Sequence, residues 1–401
     1  MEGYGYQIFT GSGRGRGYSA EEIIEKLPRP EKIRRLIIGW SEDRELYQQL
    51  RVWTKELGIE LWLWFPVFSE HSGQTAFSPL RSFPDGALVK SKKFQRDETF
   101  DFCCPGDEET ADKLVKIYDN AYQDIVFDGI FLDKIRYPSM DAGFQAFFGC
   151  GCGQCRRWLK KEGILPEEIQ DGIKDLEKRI RDVHCENPLE LLKYEKGIYR
   201  FGDPFMERIV KVKEKRITEA VRRLIRKFRG KGLKIGLDLF SPFLAPFVGQ
   251  DYYALAREAD LVKPMLYSLT DTPAGMRYEW KAVLKILRSE REATNLARER
   301  FLYEFYGTQN DFRGLFEKEL QTIKEISGEF QEKGRFVPGI EIHTAEGKPL
   351  LEQKRILENV QTLEFCGFRD RIACWDIMSA GKEEMELFTG EVRMLEQNIG
   401  I

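Results

Sequence analysis

Histidine is scarce in this chain, three among 401 residues, and so is any excess of charge of one sign. With so few imidazoles, a zinc enzyme built on histidine ligands is not expected. Lys+Arg 63 against Asp+Glu 66 leaves a net charge of −3. That balance offers no field for a polyanion, so no nucleic-acid partner is expected, and the basic run Arg222–Lys234 reads as the solvated tail of an amphipathic helix. Long apolar runs are missing too. None approaches the roughly 18 residues of a membrane span and no charged-then-apolar leader opens the chain, so the expectation is a cytoplasmic protein with no membrane partner. Nothing in the sequence marks an oligomeric state. What is present is ordinary for a globular chain: 42% hydrophobic and 32% charged residues, enough for a large core.

Short apolar runs rich in β-formers recur along the chain: Tyr4–Phe9, Arg35–Trp40, Ile59–Phe68, Ile125–Ile135, Lys234–Phe240, Leu261–Tyr267, Phe336–His343 and Arg371–Met378. Helical periodicity separates them, as in the helix that Ser19-Ala-Glu-Glu22 opens with a capping-box pattern. Strands alternating with helices imply parallel pairing through right-handed crossovers, and eight such units are what a closed (β/α)8 barrel needs. The expected organisation is therefore one α/β domain, a (β/α)8 TIM barrel over residues 1–401, with an inserted Cys-rich and helical segment at 139–205 after the fourth strand. Pro264 sits awkwardly inside the sixth run because proline cannot donate to a ladder. Gly11 to Gly17 alternate strictly, match neither the dinucleotide nor the Walker pattern, and read as a flexible loop. Asp271–Lys333 reads as mostly helical and polar, with an aromatic patch at Phe301–Tyr306.

The chemistry centres on Phe127–Pro138, where an apolar run ends on Asp133 and Arg136. In parallel α/β sheets the carboxyl ends of strands carry the site. Three further runs place acids there: Asp238, Glu341 and Asp376. Converging carboxylates suit cleavage of a glycosidic bond, one protonating the leaving oxygen while another attacks the sugar carbon or activates water. Arg136, three residues beyond Asp133, would keep that carboxylate ionised, which suits a nucleophile or electrostatic stabiliser. Asp238 and Glu341 have aliphatic sequence neighbours that would raise a pKa, so either is a candidate general acid. Trp375 and Tyr267 are candidate stacking platforms, and His343, on the same strand face as Glu341, is a candidate hydrogen-bonding partner for a substrate hydroxyl. Arg136 and Asp376 complete the candidate substrate contacts. The expected partner is a carbohydrate or glycoside. Two alternatives stand beside this reading, a non-catalytic carbohydrate-binding barrel and a divalent-metal-dependent hydrolase or lyase using the same acids.

Cys150, Cys152 and Cys155 form a glycine-rich Cys-x-Cys-x-x-Cys turn that lets three thiolates approach one ion. A closed tetrahedral site needs a fourth, for which Cys103 or Cys104 is the first choice and Cys185 the second. A structural zinc is the expected cofactor. Cys366 and Cys374 read as core.

The run Phe127–Pro138 resembles the fourth-strand motif of uncharacterised glycoside-hydrolase-like (β/α)8 families. Cys104-Pro105, Asp260–Tyr267 and Ala373–Met378 are similar to the third, sixth and eighth strand segments of the same families. The cysteine turn, with Arg156-Arg-Trp-Leu159 after it, resembles the zinc-cluster loop of family 42 β-galactosidases, where a cysteine after the third strand completes a structural site. Those enzymes carry an Asn-Glu pair on the fourth strand. Leu132-Asp133 stands in that place here and is closer to the nucleophile strand of α-amylase-like barrels. The one resemblance implies Glu341 as nucleophile and the other implies Asp133.

Overall fold

The structure, a computed structural model, describes residues 3–10, 17–69, 77–83, 85–89, 101–182, 185, 190, 201–287, 312–330, 334–343 and 349–390. Most of the glycine loop and the aromatic patch 301–306 lie outside the described residues.

Eight strands form one closed parallel barrel in sequence order: β1 Tyr4–Phe9, β2 Ile33–Gly39, β3 Glu60–Pro66, β4 Gly129–Asp133, β5 Lys234–Phe240, β6 Leu261–Met265, β7 Gly339–Glu341 and β8 Arg371–Cys374, with β1 closing on β8. Every strand matches an apolar run of the sequence, although β7 and β8 are shorter than the runs containing them. The chain leaves β8 into a short 3-10 turn, Ile377–Ser379.

Local chemistry sets the helix ends. Ser19 and Glu22 form the reciprocal capping box at the start of Ala20–Lys26. Asp43 caps Arg44–Leu57, which stops at Gly58 in the left-handed conformation (φ 70°), a turn that glycine makes without a Cβ clash. The long helix Pro204–Arg229 opens with Asp203 as cap and proline in its first turn, and it buries Ile209, Val210, Ile217, Val221, Leu224 and Phe228. Among the described residues no helix is long and apolar enough to cross a membrane.

The barrel interior is filled, not hollow. Trp62 on β3 and Phe131 on β4 point inward, and the neighbouring strands make room for their rings. A Cβ at Gly129 would lie 2.4 Å from the Trp62 ring, and one at Gly236 would lie 2.3 Å from Phe131. Burying an aromatic of this size stabilises by roughly 1.5–3 kcal/mol, and an added methyl here would force it out of place.

Pro264 proves compatible with a barrel strand. The amides of Val262 and Leu266, on either side of it, donate toward the β7 side, to Arg335 O and Gly339 O. The missing donor thus falls on the seam with β7, where the ladder is reduced to the single pair Met265–Gly339.

Between β4 and Pro204–Arg229 lie the 3-10 turns Met140–Ala142 and Phe144–Phe148 and the helices Gly153–Lys161 and Pro166–Arg181. Aromatic contacts join this stretch to the barrel: Phe147 meets Phe247 after β5 at 6.0 Å, and Phe148 stacks on Phe205 at 6.3 Å.

Candidate active site

The register of the central strands places the charged residues in a row. Leu132 pairs with Leu237, so Asp133 and Asp238 follow side by side, and Asp238 pairs in turn with Lys263. At the carboxyl end of the barrel one cavity, about 600 Å³ counting its open mouth, is lined by Asp133, Lys134, Arg136, Asp238, Tyr267 and Trp375. Phe9, Trp40, Trp64, Met265 and the loop residues Thr272, Pro273 and Ala274 complete it.

Asp133 is buried, with hydrogen bonds to both carboxylate oxygens. Trp64 Nε1 donates to Oδ2 at 3.0 Å, and the amide of Lys134 donates to Oδ1 at 2.5 Å. Lys134 adopts a left-handed backbone (φ 51°), an uncommon state for a residue with a side chain. Its ammonium lies 4.3 Å from the Trp40 ring centroid.

Asp238 is in a different environment. Burial pushes its pKa up to about 7, although Lys263 pulls the other way, and the charge of Asp133 adds to the upward push. Lys263 Nζ lies 2.9 Å from Asp238 Oδ2 and also donates to Tyr267 OH at 2.8 Å and to Gln7 Oε1. Burial, the largest single influence, would lower the lysine, but the charge and hydrogen bond of Asp238 together with Cys374 and Asp133 outweigh it and leave its pKa raised. Asp238 Oδ1 has no hydrogen-bond partner among the described residues, nor has the indole N–H of Trp40.

Arg136 does not make the contact expected of it. Its guanidinium donates to Tyr137 O at 3.1 Å and is held between the Phe102 and Phe240 rings, at 4.7 and 4.4 Å. Burial lowers its pKa, opposed by the charges of Glu279, then Asp133 and Asp238. Because β4 ends at Asp133, the three-residue offset carries Arg136 away from that carboxylate, whose ligands are Trp64 and Lys134 instead.

Glu341 faces inward but does not line the cavity. Its carboxylate accepts the amides of Leu269 (2.7 Å) and Thr270 (3.1 Å) and the Thr270 hydroxyl, which fixes the loop after β6. Asp376 is likewise outside the lining. It caps the turn Ile377–Ser379, accepting from Met378 N and from the Ser379 hydroxyl at 2.9 Å. His343 is also outside, with its ring edge-on to Trp375 at 5.6 Å and its pKa lowered by burial. Tyr267 lines the cavity as a buried ring tied to Lys263. Trp375 belongs to a cluster of perpendicular rings with Phe9, Trp40 and Trp64. Gln7 and Lys263 were missed by the sequence reading. The signal available was a polar residue at an inward register position of an otherwise apolar strand.

A second constellation lies beside the barrel. The sulfurs of Cys104, Cys150, Cys152 and Cys155 all lie within 4.8 Å of one another, with Cys104 Sγ 3.3 Å from Cys155 Sγ and 3.7 Å from Cys152 Sγ. Tetrahedral coordination with metal–sulfur bonds of about 2.3 Å needs sulfurs roughly 3.8 Å apart, so the donor set fits a metal ion. The Gly106 amide donates to Cys104 Sγ, and a Cβ on Gly106 would stand 2.6 Å from Cys155 Sγ. Cys103 is not part of this set and neither is Cys185. Cys103 pairs with Pro79 in an extended bridge, and consecutive side chains of extended backbone point to opposite sides, so only Cys104 turns toward the turn at 150–155.

No family model matches the chain. An alignment over 179 residues that spans 39% of this chain shows 25% identity to an S-layer-related protein of Niallia circulans, and it covers 10% of that protein's length. Among solved structures, the glycoside hydrolase domain of PgaB (BpsB) from Bordetella bronchiseptica is similar over 98% of this chain and 99% of that one, with TM-score 0.56 and 11% identity. A β-galactosidase from the psychrophilic Marinomonas ef1 is similar over 97% of this chain and 58% of that one, with TM-score 0.51 and 12% identity. At these identities the likeness is one of fold: the neighbours are glycoside hydrolase barrels, and this chain shares their architecture.

Proposed function

We propose that the chain cleaves or transfers a glycosidic bond, with Asp133 as nucleophile and Asp238 as general acid. The observation that carries this reading is the pair itself: two carboxylates side by side on adjacent strands, lining one aromatic cavity, in environments that separate their tasks. Donors to both oxygens hold the Asp133 carboxylate in place at the cavity wall. Burial keeps Asp238 protonated near neutrality. In the first step the bond from an Asp133 oxygen to the anomeric carbon forms as the bond to the leaving oxygen breaks, and that oxygen takes the proton from Asp238. In the second, water adds to the anomeric carbon, gives its proton to Asp238 and releases Asp133. Trp40, Trp64 and Trp375 supply ring faces and edges for a sugar and keep water from the reacting atoms.

A divalent-metal mechanism is disfavoured because the Lys263 ammonium, against Asp238, would repel a cation there. We also propose a structural zinc on Cys104, Cys150, Cys152 and Cys155, tying the loop after β3 to the segment after β4. Residues 139–205 are proposed as one insertion within a single-domain barrel.

The test is turnover of a panel of aryl glycosides and oligosaccharides by wild type, Asp133→Asn and Asp238→Asn, with folding followed by circular dichroism. Each variant is expected to lose about a thousandfold or more of kcat/KM where the wild type turns over. Sugar binding without turnover in wild type would instead identify a binding barrel.

A further inference from the structure

The strongest feature that this mechanism leaves unused is Arg136. It is 5% exposed, lines the cavity, and is clamped between two phenyl rings. A guanidinium offers five N–H donors, and among the described residues only one bond from it is made, to the Tyr137 carbonyl. Among the described residues it makes no ion pair. Glu279, the strongest counter-charge acting on it, accepts from the amide of Ala274. An arginine so deeply buried is ordinarily matched by a bonded carboxylate. Here the clamp is present, and among the described residues no carboxylate is bonded to the guanidinium.

The charges around it point the same way. The cavity walls carry Asp133, Asp238, Lys134 and Arg136. When Asp238 holds its proton to act as an acid, the lining has two cations and one anion, and behind it the buried Lys263 ammonium and Glu279 carboxylate add one charge of each sign. An anionic ligand restores the balance in that state, and a cationic sugar worsens it.

We propose that the cavity takes a sugar residue bearing a carboxylate, a uronic acid, with Arg136 as the specificity-determining residue that binds it. This rests on the reading of the cavity as a glycoside site. The two rings hold the guanidinium plane in one orientation, so its remaining donors meet a planar carboxylate as a fork, with two parallel hydrogen bonds. A substrate hydroxyl accepts one such bond and leaves the charge unmatched.

The test titrates matched probes into the full chain by calorimetry: oligosaccharides of galacturonate, glucuronate and mannuronate, each as the free acid and as its methyl ester. Esterification removes the charge and keeps the ring. At least one acid form is expected to bind wild type about tenfold or more tighter than its ester. Arg136→Met should level the two, and Arg136→Lys should keep part of the preference. Failure of every acid form to bind overturns the proposal. So does equal affinity within every pair, a preference that survives Arg136→Met, or stronger binding of a sulfated oligosaccharide than of any uronate. If Arg136→Met does not fold by circular dichroism, the acid and ester comparison on wild type decides alone. Binding and turnover are read separately. An acid preference lost in Arg136→Met, with no turnover of any probe, removes the hydrolase reading and leaves this one standing. Turnover of neutral glycosides, with no acid form bound more tightly than its ester, does the reverse.

Discussion

Lys263 Nζ and Asp238 Oδ2 lie 2.9 Å apart, paired in register on β6 and β5 and both closed off from solvent. The acid nevertheless has a pKa near 7, because burial outweighs the lysine. The mechanism needs this acid protonated, so kcat/KM is expected to fall as pH rises through about 7. Removing the ammonium in Lys263→Met takes away the influence that lowers Asp238, so the falling limb should move to higher pH. A residue that only held the fold together would not move it. A pH–rate profile whose alkaline limb stays fixed in Lys263→Met would show that Asp238 is not the titrating acid.

Trp64 is the side chain that donates to Asp133. Trp64→Phe keeps a ring against Phe9 and Trp40 but deletes the N–H. A hydrogen bond to a charged acceptor contributes about 1.5–3 kcal/mol to the folded state, so stability should fall by about that much, and kcat/KM should drop as the carboxylate loses the donor that orients it. A steady-state comparison of the two proteins on one substrate checks it, and equal rates would mean that Asp133 does not depend on this donor.

The cysteine cluster gives a comparison internal to the chain. Cys104→Ser removes one of four converging sulfurs, whereas Cys103→Ser, one residue away, removes none. Elemental analysis should find one zinc per chain in wild type and in Cys103→Ser, and much less in Cys104→Ser. Chelation should lower the melting temperature of the first two toward that of the third. Zinc retained equally by all three proteins would contradict the assigned ligand set.

The barrel was legible in the sequence because each strand is a short apolar run and each crossover a periodic helix, both properties of neighbouring residues. The cysteine cluster was legible for the same reason, since three of its sulfurs lie within six residues, 150–155. The fourth was not resolved between Cys103 and Cys104 because the choice depends on which way an extended segment faces. Glu341 and Asp376 were grouped with the site acids on their strand-end positions alone. Their ligands, the amides of Leu269 and Thr270 and the residues of the 377–379 turn, appear only when the loops are placed. Lys263 and Gln7 were missed because their contact joins β6 to β1 across the barrel interior. A lone lysine in an apolar strand gives no hint of a partner that distant in sequence.

The placement of Asp133 beside Asp238 has a stereochemical consequence. Neighbouring strands lie about 4.8 Å apart, and both side chains point into the same cavity from adjacent register positions. Carboxylates set this way are expected near the spacing of about 5–5.5 Å used by retaining glycosidases, and below the roughly 6.5–9.5 Å that leaves room for an attacking water. Glu341, across the barrel and bound to the β6 loop, does not offer the wider pairing. The first-formed sugar is therefore expected to keep the anomeric configuration of the substrate. Proton NMR of the early product distinguishes the outcomes, because the two anomers have separate signals before mutarotation mixes them. Retention should be accompanied by transfer to added methanol, since a covalent sugar on Asp133 is open to either acceptor. Inversion, with no transfer product, would assign Asp133 the role of base and require a water between the two acids.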